Sequence, residues 1–117
     1  MSSIFGIGID VVDISRFHET LERTPGFSAR VFTVREISLP LASLAARFAA
    51  KEALAKALNA KEPFNWQEVE IINEETGKPT MAFLGAMKNR MAEYIVHVTL
   101  SHDAGIASAM VIVERGQ

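Results

Sequence analysis

The chain has 117 residues, a formal net charge of -2 and 49% apolar residues. That is enough for one domain with a modest core, too apolar for a disordered chain and too acidic for general nucleic-acid binding. It contains no Cys, which excludes disulfides, thiolate metal sites and cysteine nucleophiles.

No stretch approaches the roughly 20 apolar residues of a membrane span. The first apolar run is short, is interrupted by Asp10 and lacks the basic start of a signal peptide. The expectation is a single cytoplasmic domain over residues 1–117, with neither a membrane nor a nucleic acid as partner.

Ile4 to Val12, IFGIGIDVV, reads as a buried strand. Gly6 and Gly8 fall on one face, which predicts close approach by another backbone or a ligand. Asp10 shares that face. An acid late in an apolar strand needs a partner: either a cap or turn hydrogen bond near Asp13 and Ser15, or a metal. Ser15 is expected to cap a helix running to about Arg23, with Ile14, Phe17 and Leu21 inward. Arg16, Thr20 and Arg23 share another face, a small basic ridge. It reads either as a solvated face or as a docking surface for an acidic partner. Thr24-Pro25-Gly26 ends that helix. Thr33 with Glu36 forms a capping-box pattern that opens a short helix.

Pro40 precedes LASLAARFAAKEALAKAL, Leu41 to Leu58, which reads as a helix of about five turns. At about 100° per residue, Leu41, Leu44, Ala45, Phe48 and Ala49 form one apolar stripe. Glu52 and Lys56 continue that stripe, within reach of each other. Burying either charge unpaired would cost on the order of several kcal/mol. Each other, a metal or a charged ligand must compensate them. Arg47 and Lys51 are expected on other faces, open to solvent, a subunit neighbour or phosphates. Asn59-Ala60-Lys61-Glu62-Pro63 is expected to end the helix.

Trp66 to Ile72 reads as a strand, Glu74 to Pro79 as a turn, and Thr80 to Phe83 as a short strand pairing back. Leu84 to Ala92 reads as a helix. Tyr94 to Leu100 and Ile106 to Val113 alternate well and form the clearest hairpin. Its turn is placed at Ser101 to Gly105, with His102 and Asp103 at the tip. His97 lies mid-strand.

Asp10 and Glu52, with Asp103 as a third candidate, offer oxygen ligands without Cys or clustered His. That set favours Mg²⁺ over Zn²⁺. Lys56 beside such a site suits a phosphate, and His102 suits an acid, a base or a phosphate donor. The combination fits transfer chemistry at a pyrophosphate. Neither a Walker A motif nor GxGxxG is present.

The motifs GIGIDVVDISRF at Gly6–Phe17, VFTVREI at Val31–Ile37, SLAARFAAKEALAKAL at Ser43–Leu58, GKP before Thr80 and LSHD at Leu100–Asp103 occur in that order. With them, the chain resembles the holo-acyl-carrier-protein synthase group of 4′-phosphopantetheinyl transferases. The resemblance implies a small single α+β domain, with an antiparallel-type sheet packed with one long central helix. It implies Mg²⁺-dependent transfer of the phosphopantetheine arm of coenzyme A to a serine of an acyl carrier protein, or of a carrier domain of a fatty-acid synthase. Adenosine 3′,5′-bisphosphate is the other product.

By position, Asp10 and Glu52 match Mg²⁺ ligands, and Lys56 matches a lysine that contacts the coenzyme A phosphates and assists transfer. His102 matches a histidine near the pyrophosphate, Arg47 a basic coenzyme A contact, and Arg16 a contact to the acidic recognition helix of the carrier. The catalytic set is then Glu52, Lys56 and His102, with Glu52, directly or through a metal-bound water, or His102 taking the serine proton. A homotrimer with active sites between subunits is implied as well. Two other classes remain open: a non-catalytic module that binds coenzyme A or a carrier, and a Mg²⁺-dependent pyrophosphate hydrolase.

Overall fold

The structure is a computed structural model that describes residues 3–59 and 63–116. Its first strand, β1 (Ser3–Asp13), leads into three helices, α1 (Ile14–Arg23), α2 (Phe27–Val31) and α3 (Val34–Ile37). The long helix α4 (Leu41–Ala57) follows, then β2 (Val69–Asn73), β3 (Pro79–Phe83), α5 (Gly85–Arg90) and the long strands β4 (Tyr94–Asp103) and β5 (Ile106–Arg115). This is the α+β class expected, with the sheet packed on the long helix.

The main sheet is antiparallel in the order β1-β5-β4, and β2 pairs with β3 in a separate two-stranded sheet. Across the main sheet, Asp10 aligns with Ala109 and Ala109 with Leu100. The β4–β5 turn is tighter than the sequence reading placed it. Ser101, His102 and Asp103 pair with Ser108, Ala107 and Ile106. His102 and Asp103 are therefore the end of β4, not a loop tip. Only Ala104 and Gly105 turn, both with positive φ, 50° and 78°. That is the twist a two-residue hairpin demands.

Asp13, not Ser15, caps α1: its side chain accepts from Arg16 N at 2.9 Å. Helix α2 was not anticipated. Its C-terminal neighbour Thr33 closes the expected capping box with Glu36 and opens α3. Trp66–Glu68, read as the start of a strand, forms a 3₁₀ turn capped by Asn65, and β2 begins only at Val69. The long helix ends at Ala57 with Leu58 as its cap and Asn59 at a positive φ of 51°, at the start of the expected stop Asn59–Pro63, of which residues 60–62 lie outside the described residues.

Small residues let α4 press against β1. A Cβ on Gly6 would lie 1.8 Å from the Ala57 carbonyl oxygen, and one on Gly8 1.9 Å from that of Ala53. The predicted close approach is therefore between β1 and the backbone of α4. The other side of α4 is covered too, by α2, α3 and β2, so the buried sector is wider than one stripe. This overturns the expected exposure of Arg47 and Lys51. Lys51 is 0% exposed and Arg47 5%. Lys51 Nζ donates to Glu36 Oε1 at 2.7 Å, and Arg47 Nε donates to the Ile71 carbonyl at 3.3 Å.

The face of the main sheet turned away from α4 carries an open apolar row on β1, beside the His97–Glu114 pair of β4 and β5. Ile7, Ile9, Val11 and Ile95 are all exposed there. A contiguous apolar row of this kind marks an interaction surface.

Candidate active site

Strand β1 and helix α4 together build a charged cluster. Asp10 stands on the β1 face that packs on α4, where Gly6 and Gly8 have let the helix come close. Lys56 Nζ donates to an Asp10 carboxylate oxygen at 3.1 Å and to the Ile9 carbonyl at 2.9 Å. Lys56 itself stays half exposed, so its ammonium remains open to a ligand. Glu52, one turn earlier on α4, is half-buried. Burial, and next the negative charge of Asp10, push the Glu52 carboxyl above its ordinary value, while Lys56 partly opposes them. The three predicted residues Asp10, Glu52 and Lys56 are thus brought together.

Asp10 and Glu52 open onto a groove of about 310 Å³ between β1, α1 and α4, which Arg16 and Thr20 also line. Its apolar wall is aromatic. Phe48 lies 5.5 Å from Phe17 and 5.6 Å from Phe27 between ring centroids, and it stacks on Trp66 at 5.9 Å. Two carboxylates without sulfur or ring nitrogen fit a hard divalent cation that completes its shell with water and phosphate oxygens. Among the described residues, no three His, Cys, Asp or Glu side chains group into a metal site.

His102 stands elsewhere. It lies two strands across from Asp10 and two residues further along, which places their Cα atoms about 12 Å apart. It lines a separate pocket of about 180 Å³ with Ser43, Arg47, Asn73 and Pro79. Arg47 lines that pocket while remaining buried. Burial pushes its guanidinium down from its ordinary value, against the attraction of Glu36. Asp103, next after His102, falls on the opposite face of the sheet and pairs with Ile106. It does not join Asp10 and Glu52.

One chain therefore holds two separate pockets, both lined in part by α4. A family model, the 4′-phosphopantetheinyl transferase superfamily, matches residues 6–109.

The chain belongs to this superfamily.

It is 51% identical to the holo-[acyl-carrier-protein] synthase of Streptomyces avermitilis, over 96% of this chain and 98% of that protein. Its structure is similar to the acyl carrier protein synthase of Mycobacterium tuberculosis, with 34% identity and a TM-score of 0.77. That match covers 97% of this chain and 99% of the other. The holo-(acyl-carrier-protein) synthase of Bacillus anthracis, solved in complex with CoA (3′,5′-ADP), matches at 32% identity and a TM-score of 0.79. It covers 97% of this chain and 98% of that one.

The phosphopantetheinyl transferase fold also uses residues that the motifs did not single out. The sequence reading assigned Phe27 no role and placed Phe48 on the apolar stripe of the long helix. Both line the groove, and the aromatic run Phe17, Phe27, Phe48 and Trp66 was the signal available for it.

Proposed function

We propose that this chain transfers 4′-phosphopantetheine from coenzyme A to a serine of an apo acyl carrier protein or carrier domain, releasing adenosine 3′,5′-bisphosphate and activating fatty-acid synthesis. The observation that carries this reading is the cluster of Asp10, Glu52 and Lys56, whose two carboxylates open onto one groove, in a chain of this superfamily. The groove runs from the carboxylates to Arg16, so the acceptor serine enters beside Glu52 while an acidic carrier segment meets the Arg16 ridge.

Asp10 and Glu52 fit as ligands of Mg²⁺, which when bound supplies positive charge against the pyrophosphate. The serine oxygen attacks the β-phosphorus of coenzyme A. A new P–O bond forms, and the bond from that phosphorus to the bridging oxygen breaks. Glu52, half-buried beside Asp10 at the mouth of the groove, takes the serine proton. Lys56 faces the departing phosphate and stabilises its charge.

Arg47 and His102 contact coenzyme A from the second pocket. Because they lie far from Asp10 in one chain, the reading joins the two pockets as half-sites across copies in a homotrimer with active sites between subunits. The open apolar row on β1 supports it, since such an assembly would cover it. No helix of the described residues is long and apolar enough to cross a membrane. The reading places the reaction in the cytoplasm.

The test is nucleotide release from coenzyme A and Mg²⁺, followed with and without apo carrier. Carrier-dependent formation of adenosine 3′,5′-bisphosphate is expected. Release without carrier would indicate a pyrophosphate hydrolase, and tight coenzyme A binding with no release would indicate a binding module.

A further inference from the structure

Lys51 precedes Glu52 in the chain but turns away from β1, into the layer formed by α2, α3 and the Trp66 turn. Its ammonium has three N–H donors, and all three are used. They go to the Val31 carbonyl at 2.6 Å, Glu36 Oε1 at 2.7 Å and the Trp66 carbonyl at 3.1 Å. The Glu36 carboxylate also accepts from Thr33 N at 3.0 Å and from Ile71 N at 2.9 Å. The ammonium lies 5.6 Å from the centre of the Phe32 ring.

The three acceptors belong to three segments: the end of α2, helix α3 and the turn that opens at Trp66. One of them carries a ring of the groove, Phe27, and another carries Trp66, which backs a groove ring, and the rings are linked. Helix α2 begins with Phe27. Phe32, just after α2, packs edge-on against Phe17 at 6.2 Å. Trp66 stacks on Phe48. Phe17, Phe27 and Phe48 line the groove beside Asp10 and Glu52. A buried ion pair is weak support for stability in itself. What singles this one out is that one cation fixes the backbone of both segments that flank the aromatic wall.

We propose that Lys51 is a positioning residue: by tying Val31, Glu36 and Trp66 to α4 it sets the aromatic wall of the groove, and with it affinity for the acceptor carrier. It touches neither coenzyme A nor the reacting atoms. The inference rests on the reading that the groove receives the carrier. Removing Lys51 should therefore weaken the carrier and spare coenzyme A.

The test uses the full chain with Lys51→Met and, because that change leaves Glu36 buried without its cation, the doubly neutralised E36Q/K51M. Each is assayed for KM toward apo carrier and toward coenzyme A, and for Kd of labelled apo carrier by fluorescence anisotropy. Trp66 is the only tryptophan in the chain, and it stacks on Phe48 of the wall, so its emission reports the packing behind the wall. The expected result for folded E36Q/K51M is a shifted Trp66 emission and about a ten-fold rise in Kd and KM for carrier, with KM for coenzyme A changed by less than about two-fold. An unchanged carrier Kd, an equal rise in both KM values, or failure of E36Q/K51M to fold overturns the proposal. The last result would assign Lys51 to the fold as a whole. Wild type is run alongside: if it transfers nothing to the carrier, the proposed function falls, and this inference with it.

Discussion

Lys56 on α4 and Asp10 on β1 meet at 3.1 Å although 46 residues separate them in the chain. The contact exists because Gly6 and Gly8 let the helix backbone rest on the strand. The same approach sets Glu52 beside Asp10, so the charged cluster follows from glycine spacing on a strand and helical spacing on α4.

That approach predicts the effect of Gly8→Ala. The added Cβ would lie 1.9 Å from the Ala53 carbonyl oxygen, and backbone on both sides must move. Overpacking of this severity should cost about 3 kcal/mol or more. For a domain of this size each kcal/mol lowers Tm by about 4 °C or more. A thermal melt within a degree or two of wild type would show that the helix does not rest on β1 in this way.

Lys56→Gln separates chemistry from stability. Lys56 is half exposed, and an ion pair of that kind contributes about 0–1 kcal/mol. The melt should barely move. Loss of a cation at the leaving phosphate should lower kcat on the order of 10²–10³-fold. Wild-type kcat in K56Q would remove Lys56 from the mechanism.

Glu52→Gln should abolish transfer without destabilising the fold. The Glu52 carboxyl is raised, first by burial and then by Asp10. The folded state therefore holds the proton to higher pH than the unfolded chain. Ionised Glu52 disfavours folding at neutral pH, and that penalty fades as pH falls through the raised folded value. In EDTA, E52Q should melt at or above wild type at pH 7, and the difference should vanish below the ordinary value of 4.5. An E52Q protein that melts lower at pH 7, or that still transfers, would contradict this assignment.

The hairpin and the Thr33–Glu36 capping box were legible in the sequence because each depends on neighbours a few residues away, whereas Gly6 and Gly8 announced a close approach but not that its partner is the backbone of α4 at Ala53 and Ala57. The burial of Lys51 and Arg47 was not. Their partners Glu36 and Ile71 lie 15 and 24 residues distant. A wheel drawn for α4 alone assumes one buried face, and it placed Glu52 and Lys56 deeper than they are. Asp13 displaced Ser15 as the cap of α1 because β1 runs further than its apolar core, so the helix starts directly at its end. His102 was assigned to a loop because Ser101 and Asp103 resemble turn residues. Pairing with β5 keeps all three in the strand, and the pleat then sends Asp103 away from the site.

The separation of His102 from Asp10 predicts complementation between inactive variants. E52Q spoils one half-site and His102→Ala the other, each on its own chain. If a site takes Glu52 from one copy and His102 from the next, co-refolding equal amounts should restore about a quarter of wild-type activity, the fraction of random junctions with both halves intact. Activity no greater than the sum of the two separate variants would place each site within one chain.

Ile9→Glu tests the same assembly from its surface. Ile9 is 59% exposed on the outer sheet face, so a charge there should leave the single-chain fold intact. At an interface between copies it would be buried unpaired and should give monomers by light scattering, with activity lost. A fully active monomer would contradict the assembly.

The most direct measurement is the intact mass of an apo acyl carrier protein after incubation with this protein, coenzyme A and Mg²⁺. The account predicts addition of one phosphopantetheine, abolished by EDTA and by Glu52→Gln. No addition to either a free carrier or a fatty-acid synthase carrier domain, while coenzyme A still binds, would contradict it.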